Sequence, residues 1–134
     1  MPLSATVDTD AWLVRIECSG VVTLEDLLGA VEPMLGDASF EPGMGQLIDL
    51  RTAEDTSLTR SELQHLVETL RTEPRLEGSA VAIVATRPVL FGVARMYEAL
   101  VEQVPSPPPI RVFGDPAEAL AWLRRPASRP AASA

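Results

Sequence analysis

The chain has 134 residues, 46% hydrophobic and 22% charged, and its 11 basic residues, all arginine, face 19 acids for a formal net charge of -8. Such an acidic chain repels phosphate backbones, which disfavours nucleic-acid binding, and a single cysteine with a single histidine builds neither a disulfide nor a Cys/His zinc site. No stretch approaches the ~20 apolar residues of a membrane span and the amino end lacks a basic, apolar leader, so a soluble, cytoplasmic protein without metal or cofactor is expected.

The length predicts one domain over residues 1–124, large enough to fold on its core alone. At the amino end Leu3, Ala5 and Val7 suggest a strand, Asp8-Thr9-Asp10 a turn, and the alternation of Trp12, Val14, Ile16 and Cys18 a second strand, together an antiparallel hairpin. A first helix follows, capped by Thr23 with Asp26 at the capping-box position and ended by Gly36. Pro33 lies inside it, where its ring presses on the carbonyl of Gly29 and predicts a kink.

After the loop at 41–45, Gln46-Leu47-Ile48-Asp49-Leu50 reads as a third strand giving way to polar residues from Arg51. The second helix has the clearest start: Thr59 as cap, Glu62 three residues on, Leu58 placed to staple against Leu63, and a stripe of Leu63, Leu66, Val67 and Leu70. Residues 79–86 are almost continuously apolar, as in a central strand covered on both faces. Pro88 opens a third helix to about Val104, Ile110 to Phe113 forms the last strand, and Asp115-Pro116-Ala117-Glu118 starts a fourth helix. Residues 125–134 are Pro, Ala, Ser and Arg and read as a disordered tail. This alternation predicts an α/β fold with a largely parallel sheet and right-handed crossovers.

Open parallel sheets bind ligands beyond the carboxyl ends of their strands, which here gathers Asp49 to Thr52 with Thr86 and Arg87. Arg51 and Arg87, beside two helix starts, are candidates for holding an anion; an internal ion pair from Asp49 to either arginine is the competing reading. On a helical wheel Phe91 falls about 160° from Val93, on the polar side with Arg95, Glu98 and Glu102. It either marks a partner surface or folds back under the preceding loop. Cys18 and His65 are the only conventional nucleophile and base, but His65 sits about 200° around its helix from Leu63 and faces solvent. Glu54 and Asp55 read as hydrated loop carboxylates, and no phosphate-cradling glycine motif is present.

The ordered set Gly20-Val21-Val22-Thr23, Leu47-Ile48-Asp49-Leu50-Arg51, Phe91-Gly92-Val93-Ala94-Arg95-Met96 and Val112-Phe113 with Ala119-Leu120-Ala121-Trp122-Leu123 resembles the bacterial STAS/SEC14-like family, small proteins similar to the STAS domain of anti-sigma-factor antagonists. The resemblance spans about residues 3 to 124. It implies a mixed sheet of four or five strands with helices mainly on one side, which narrows the two-sided covering inferred for the central strand. In antagonist STAS domains a regulatory serine lies in an Asp-Ser-Ser/Thr-Gly pattern at the start of the second helix. This chain lacks that pattern, and offers Thr56, Ser57 and Thr59 nearby, of which Thr59 is already explained by capping.

The expected function is a non-enzymatic regulatory or protein-interaction module, with the second-helix start (Thr56, Ser57) and the Phe91/Arg95 face as contact surface. The alternative, motivated by the SEC14 half of the resemblance and the apolar third helix, is a carrier or sensor of a small apolar or lipid-like ligand. That alternative requires a ligand-sized pocket between the second and third helices. Symmetric pairing into a homodimer is the expected assembly, if any forms.

Overall fold

The computed structural model describes residues 3–124, so the expected tail at 125–134 lies outside the described residues. Five strands, β1 (Leu3–Asp8), β2 (Leu13–Val22), β3 (Gly45–Thr56), β4 (Val81–Val84) and β5 (Ile110–Phe113), lie in one sheet in sequence order. β1 and β2 form the antiparallel hairpin and every later pairing is parallel. Between and after them run α1 (Leu24–Leu35), α2 (Arg60–Arg71), a short 3-10 turn at Pro74–Leu76, α3 (Pro88–Glu102) and α4 (Pro116–Leu123).

Sequential strand order makes each parallel crossover step in the same direction, and a right-handed crossover then puts α1, α2 and α3 on one face. α4 follows the last strand, connects to nothing in the sheet, and folds under the opposite face, where Ala119 and Leu123 meet Leu13, Leu47, Ala82 and Val84. On the three-helix face Val81 and Ile83 meet Leu63 and Val67 of α2 and Ala94 and Val101 of α3. β4 is therefore buried along its whole length, and the two expectations about covering are reconciled: both faces are packed, the second by α4 alone.

Local chemistry explains the helix starts. The Thr23 hydroxyl accepts from the Asp26 N–H at 3.2 Å, and Thr59 forms the full capping box, with Glu62 reaching back to the Thr59 N–H at 3.0 Å. α1 runs unbroken through Pro33. Asp115 corrects the expectation for α4: it stands at the cap position but its carboxylate makes no capping bond, so Pro116 with its fixed φ marks the start.

The middle strands outrun their apolar segments. β2 continues past Cys18 to Val22 and β3 past Leu50 to Thr56, because the two pair side by side through two register shifts. Thr52 and Thr56 donate to the Cys18 and Val22 carbonyls at 2.7 and 2.8 Å and close the gaps the shifts leave. β4, conversely, is shorter than the apolar stretch that announces it.

Candidate functional site

Alternation along β3 points Gln46, Ile48 and Leu50 at the three-helix face, and there they meet open space. A cavity of about 470 Å³ lies between this face and the helices. Its walls are Leu27, Val31 and Met34 from α1, the α2 stripe Leu63, Leu66, Val67 and Leu70, and Leu90, Val93, Ala94, Tyr97 and Val101 from α3. α2 makes its close backbone approaches to α1, α3 and the 3-10 turn, whereas α3 and α4 lie close against strands. The void is thus the gap beneath α2. It also accounts for half-exposed side chains in the middle of the molecule, Ile48, Leu50, Leu70 and Val93 among them.

The exposed lining residues, Arg71, Thr72, Pro74, Glu77, Pro105 and Ser106, mark the mouth. α2 and α3 run back against the strand direction, so their C-terminal ends, and this mouth, stand at the amino ends of β3, β4 and β5. That is the end opposite to the one expected to gather a site. The charges at the mouth are held by neighbours: Arg71 pairs with Glu68 at 3.0 Å, and Glu73 with Arg75 at 2.8 Å.

Away from the mouth, Gln46, Thr56, Ser79 and Tyr97 interrupt the apolar wall. Gln46, 7% exposed, donates its Nε2 to Ser79 Oγ at 3.4 Å, and Ser79 in turn donates to the Met44 carbonyl. Tyr97 projects from α3, and burial pushes its phenol up to about 12, so it stays neutral at physiological pH.

At the carboxyl ends of the strands the sequence candidates are occupied by one another. Arg51 clasps Asp49 with Nη2 to Oδ2 at 2.7 Å and Nε to Oδ1 at 3.0 Å, the ion-pair arrangement, made with Arg51. Glu17 and Asp115 add negative charge around Arg51. Thr86 and Arg87 are exposed, and Arg87, at the cap position of α3, makes no ion pair among the described residues. Partial burial works to raise the Asp49 pKa, but the Arg51 hydrogen bonds and charge outweigh it and hold the carboxyl below 3.8. A depressed folded-state pKa means stability present above the unfolded value and lost as pH falls through the folded one. Arg51→Met is expected to destabilise the protein by up to about 1 kcal/mol at pH 7, since the arginine is 46% exposed and screened. In urea melts the gap between the two proteins should close as the pH falls through the lowered pKa of folded Asp49; a gap unchanged by pH removes the ion pair as its source.

The other candidates are placed as follows. Thr56 donates to the Val22 carbonyl and accepts from the Leu58 N–H at 3.1 Å, so its hydroxyl is engaged, while Ser57 is exposed. Phe91 is half-buried against the cluster of Val14, Ile16, Cys18 and Leu90, the folded-back arrangement. Arg95 is exposed and pairs with Glu98 at 3.0 Å. Cys18 is fully buried, and burial first, then the Asp49 and Asp26 charges, push its thiol up to about 12; His65 stands on the exposed side of α2. Glu54 and Asp55 are exposed at the end of β3.

This order of strands and helices recurs among solved structures. The chain is similar to an uncharacterized protein of the DUF3478 family from Shewanella loihica PV-4, described as having a SpoIIAA-like fold, with a TM-score of 0.56 and 20% identity over 90% of this chain and 91% of that one. The fold is SpoIIAA-like. That agrees with the STAS-like architecture expected from the sequence motifs, down to the N-terminal hairpin and four helices. No family profile matches the chain, and no curated protein is similar to it in sequence. Within the SpoIIAA-like fold the cavity of this chain lies between the sheet and the helices that carry its three crossovers. No helix among the described residues is long and apolar enough to cross a membrane.

Proposed function

We propose that this chain is a non-enzymatic binding module of STAS-like fold: it holds a small apolar or lipid-like ligand beneath α2, and a protein partner reads the outside of the same helices. The cavity carries this reading. Its volume falls in the range of ligand pockets, and its wall is apolar with a few polar groups, as such pockets are. The space opens to solvent at its mouth, so without a ligand its apolar wall is left in contact with water, the contact that an apolar solute removes. Water that enters finds few of the two to four polar partners an ordered water makes, because most of the wall is apolar. An apolar solute fills the space and gains from every methylene buried.

The same helix serves both halves of the proposal. α3 lines the cavity with Leu90, Ala94 and Tyr97, and leaves Val89 and Met96, 51% and 37% exposed, on its outer surface. Occupancy beneath the helix is thereby adjacent to the surface a partner would touch.

Nile red, an uncharged dye that brightens in apolar surroundings, tests the reading. The protein is expected to bind it, and native mass spectrometry of freshly purified protein to reveal an apolar adduct. Ala94→Trp, which places an indole in the cavity, should abolish the dye signal while circular dichroism stays native. Undiminished binding by a folded Ala94→Trp protein means that the dye sits elsewhere and the reading fails.

A further inference from the structure

The hydrogen-bond directions inside the cavity define what its ligand must carry. Ser79 has a single hydroxyl proton, and it goes to the Met44 carbonyl. Ser79 Oγ therefore meets Gln46 only as an acceptor, which fixes the carboxamide with Nε2 toward Ser79. Gln46 Oε1 accepts from no donor among the described residues, and since no fully enclosed side-chain oxygen or nitrogen there lacks a partner, it is open to the space that Gln46 lines. The Tyr97 hydroxyl likewise makes no hydrogen bond among the described residues and, on the same ground, is accessible rather than enclosed.

These two groups lie toward the same end. Gln46 is at the start of β3, level with Val81 of β4 and, through it, Ile110 of β5. Tyr97 is in the C-terminal half of α3, which runs back toward those strand starts. The mouth is at this end as well. An accessible acceptor bonds water while the space is open, and a ligand that displaces that water keeps it satisfied only by supplying an O–H or N–H of its own. Tyr97 adds a donor that also accepts.

Charge limits the choice further. The only basic residue in the lining is Arg71, at the mouth and already held by Glu68, and Glu73 and Glu77 share that rim. Nothing there repays the desolvation of a carboxylate or phosphate.

We infer that the cavity selects an uncharged amphiphile, an aliphatic tail ending in an alcohol or similar neutral group with its own proton, whose head donates to Gln46 Oε1 and exchanges a hydrogen bond with Tyr97. The tail fills the space between the α1–α2 side of the cavity and β3, and the head stays near the mouth. This rests on the apolar-ligand reading and adds the chemistry of the head.

Displacement of Nile red from the full-length protein by decanol, by its isomer methyl nonyl ether and by decanoate at pH 8 tests it. Because the ether is the less soluble of the two isomers, the diagnostic quantity is the alcohol-to-ether affinity ratio in each protein. Gln46→Met, which keeps the length of the side chain and removes the acceptor, should lower that ratio about tenfold, the equivalent of one lost hydrogen bond. Tyr97→Phe should lower it several-fold, and it provides the same readout should Gln46→Met fail to fold. Decanoate should compete at least tenfold more weakly than decanol. A ratio unchanged in the folded variants, or decanoate competing as well as decanol, overturns the assignment of the head while displacement by all three still upholds an apolar cavity. Failure of every compound, and of the dye, to bind removes the cavity reading together with this one.

Discussion

Stripping apolar solute from the purified protein is expected to lower its melting temperature by about 10 °C, and returning decanol at saturating concentration is expected to restore it. The size follows from linkage. A ligand present at 100 times its dissociation constant stabilises the folded state by about 2.7 kcal/mol, and for a domain of this length each kcal/mol moves the transition by roughly 3–6 °C. The unfolded chain offers no comparable site, so the shift measures the folded cavity alone. Differential scanning calorimetry across a decanol series should give a midpoint that climbs with the logarithm of ligand concentration. A transition that ignores decanol at concentrations that displace Nile red excludes linkage between the site and the fold. It would leave the dye bound to an outer face such as the one around Val89 and Met96.

The architecture was largely readable before any coordinates because its signals are local. Period-two alternation in Val14, Ile16 and Cys18, the capping box at Thr59 and the Pro88 and Pro116 starts each belong to a few neighbouring residues. The ends of β2 and β3 were not readable, since residues 51–56 are polar except for the buried Ala53 and are held in the sheet by pairing with a strand 34 residues earlier. The cavity was hidden for a different reason. A helix stripe such as Leu63, Leu66, Val67 and Leu70 is written identically whether it presses on a sheet or faces a gap beneath the helix. One clue was available: alternation sets Gln46 on the same face as Ile48 and Leu50, and a glutamine on the inner face of a middle strand asks for a partner that the apolar neighbours do not supply. The carboxyl-end cluster, by contrast, was visible at once, and Arg51 is spent on Asp49.

Two adjacent leucine-sized side chains on β3 give the sharpest separation between packed core and cavity wall. Leu47 is 4% exposed and sits in the cluster beneath α4, while Ile48 faces the opposite side and lines the cavity. Leu47→Ala removes methyl groups from a closed interior, which loses their transfer free energy and leaves a hole, for an expected loss of about 2–5 kcal/mol. Ile48→Ala only enlarges a space that already exists, so the hole term is absent and the expected loss in ligand-free protein is about 1 kcal/mol. Binding should invert the order: Ile48→Ala takes away contact surface and weakens Nile red several-fold, while Leu47→Ala leaves the affinity of the folded fraction unchanged. Urea denaturation of the stripped proteins and dye titrations of the folded ones read the two effects separately. Equal and large destabilisation at both positions would mean that α2 closes onto β3 in solution and that Ile48 is ordinary core.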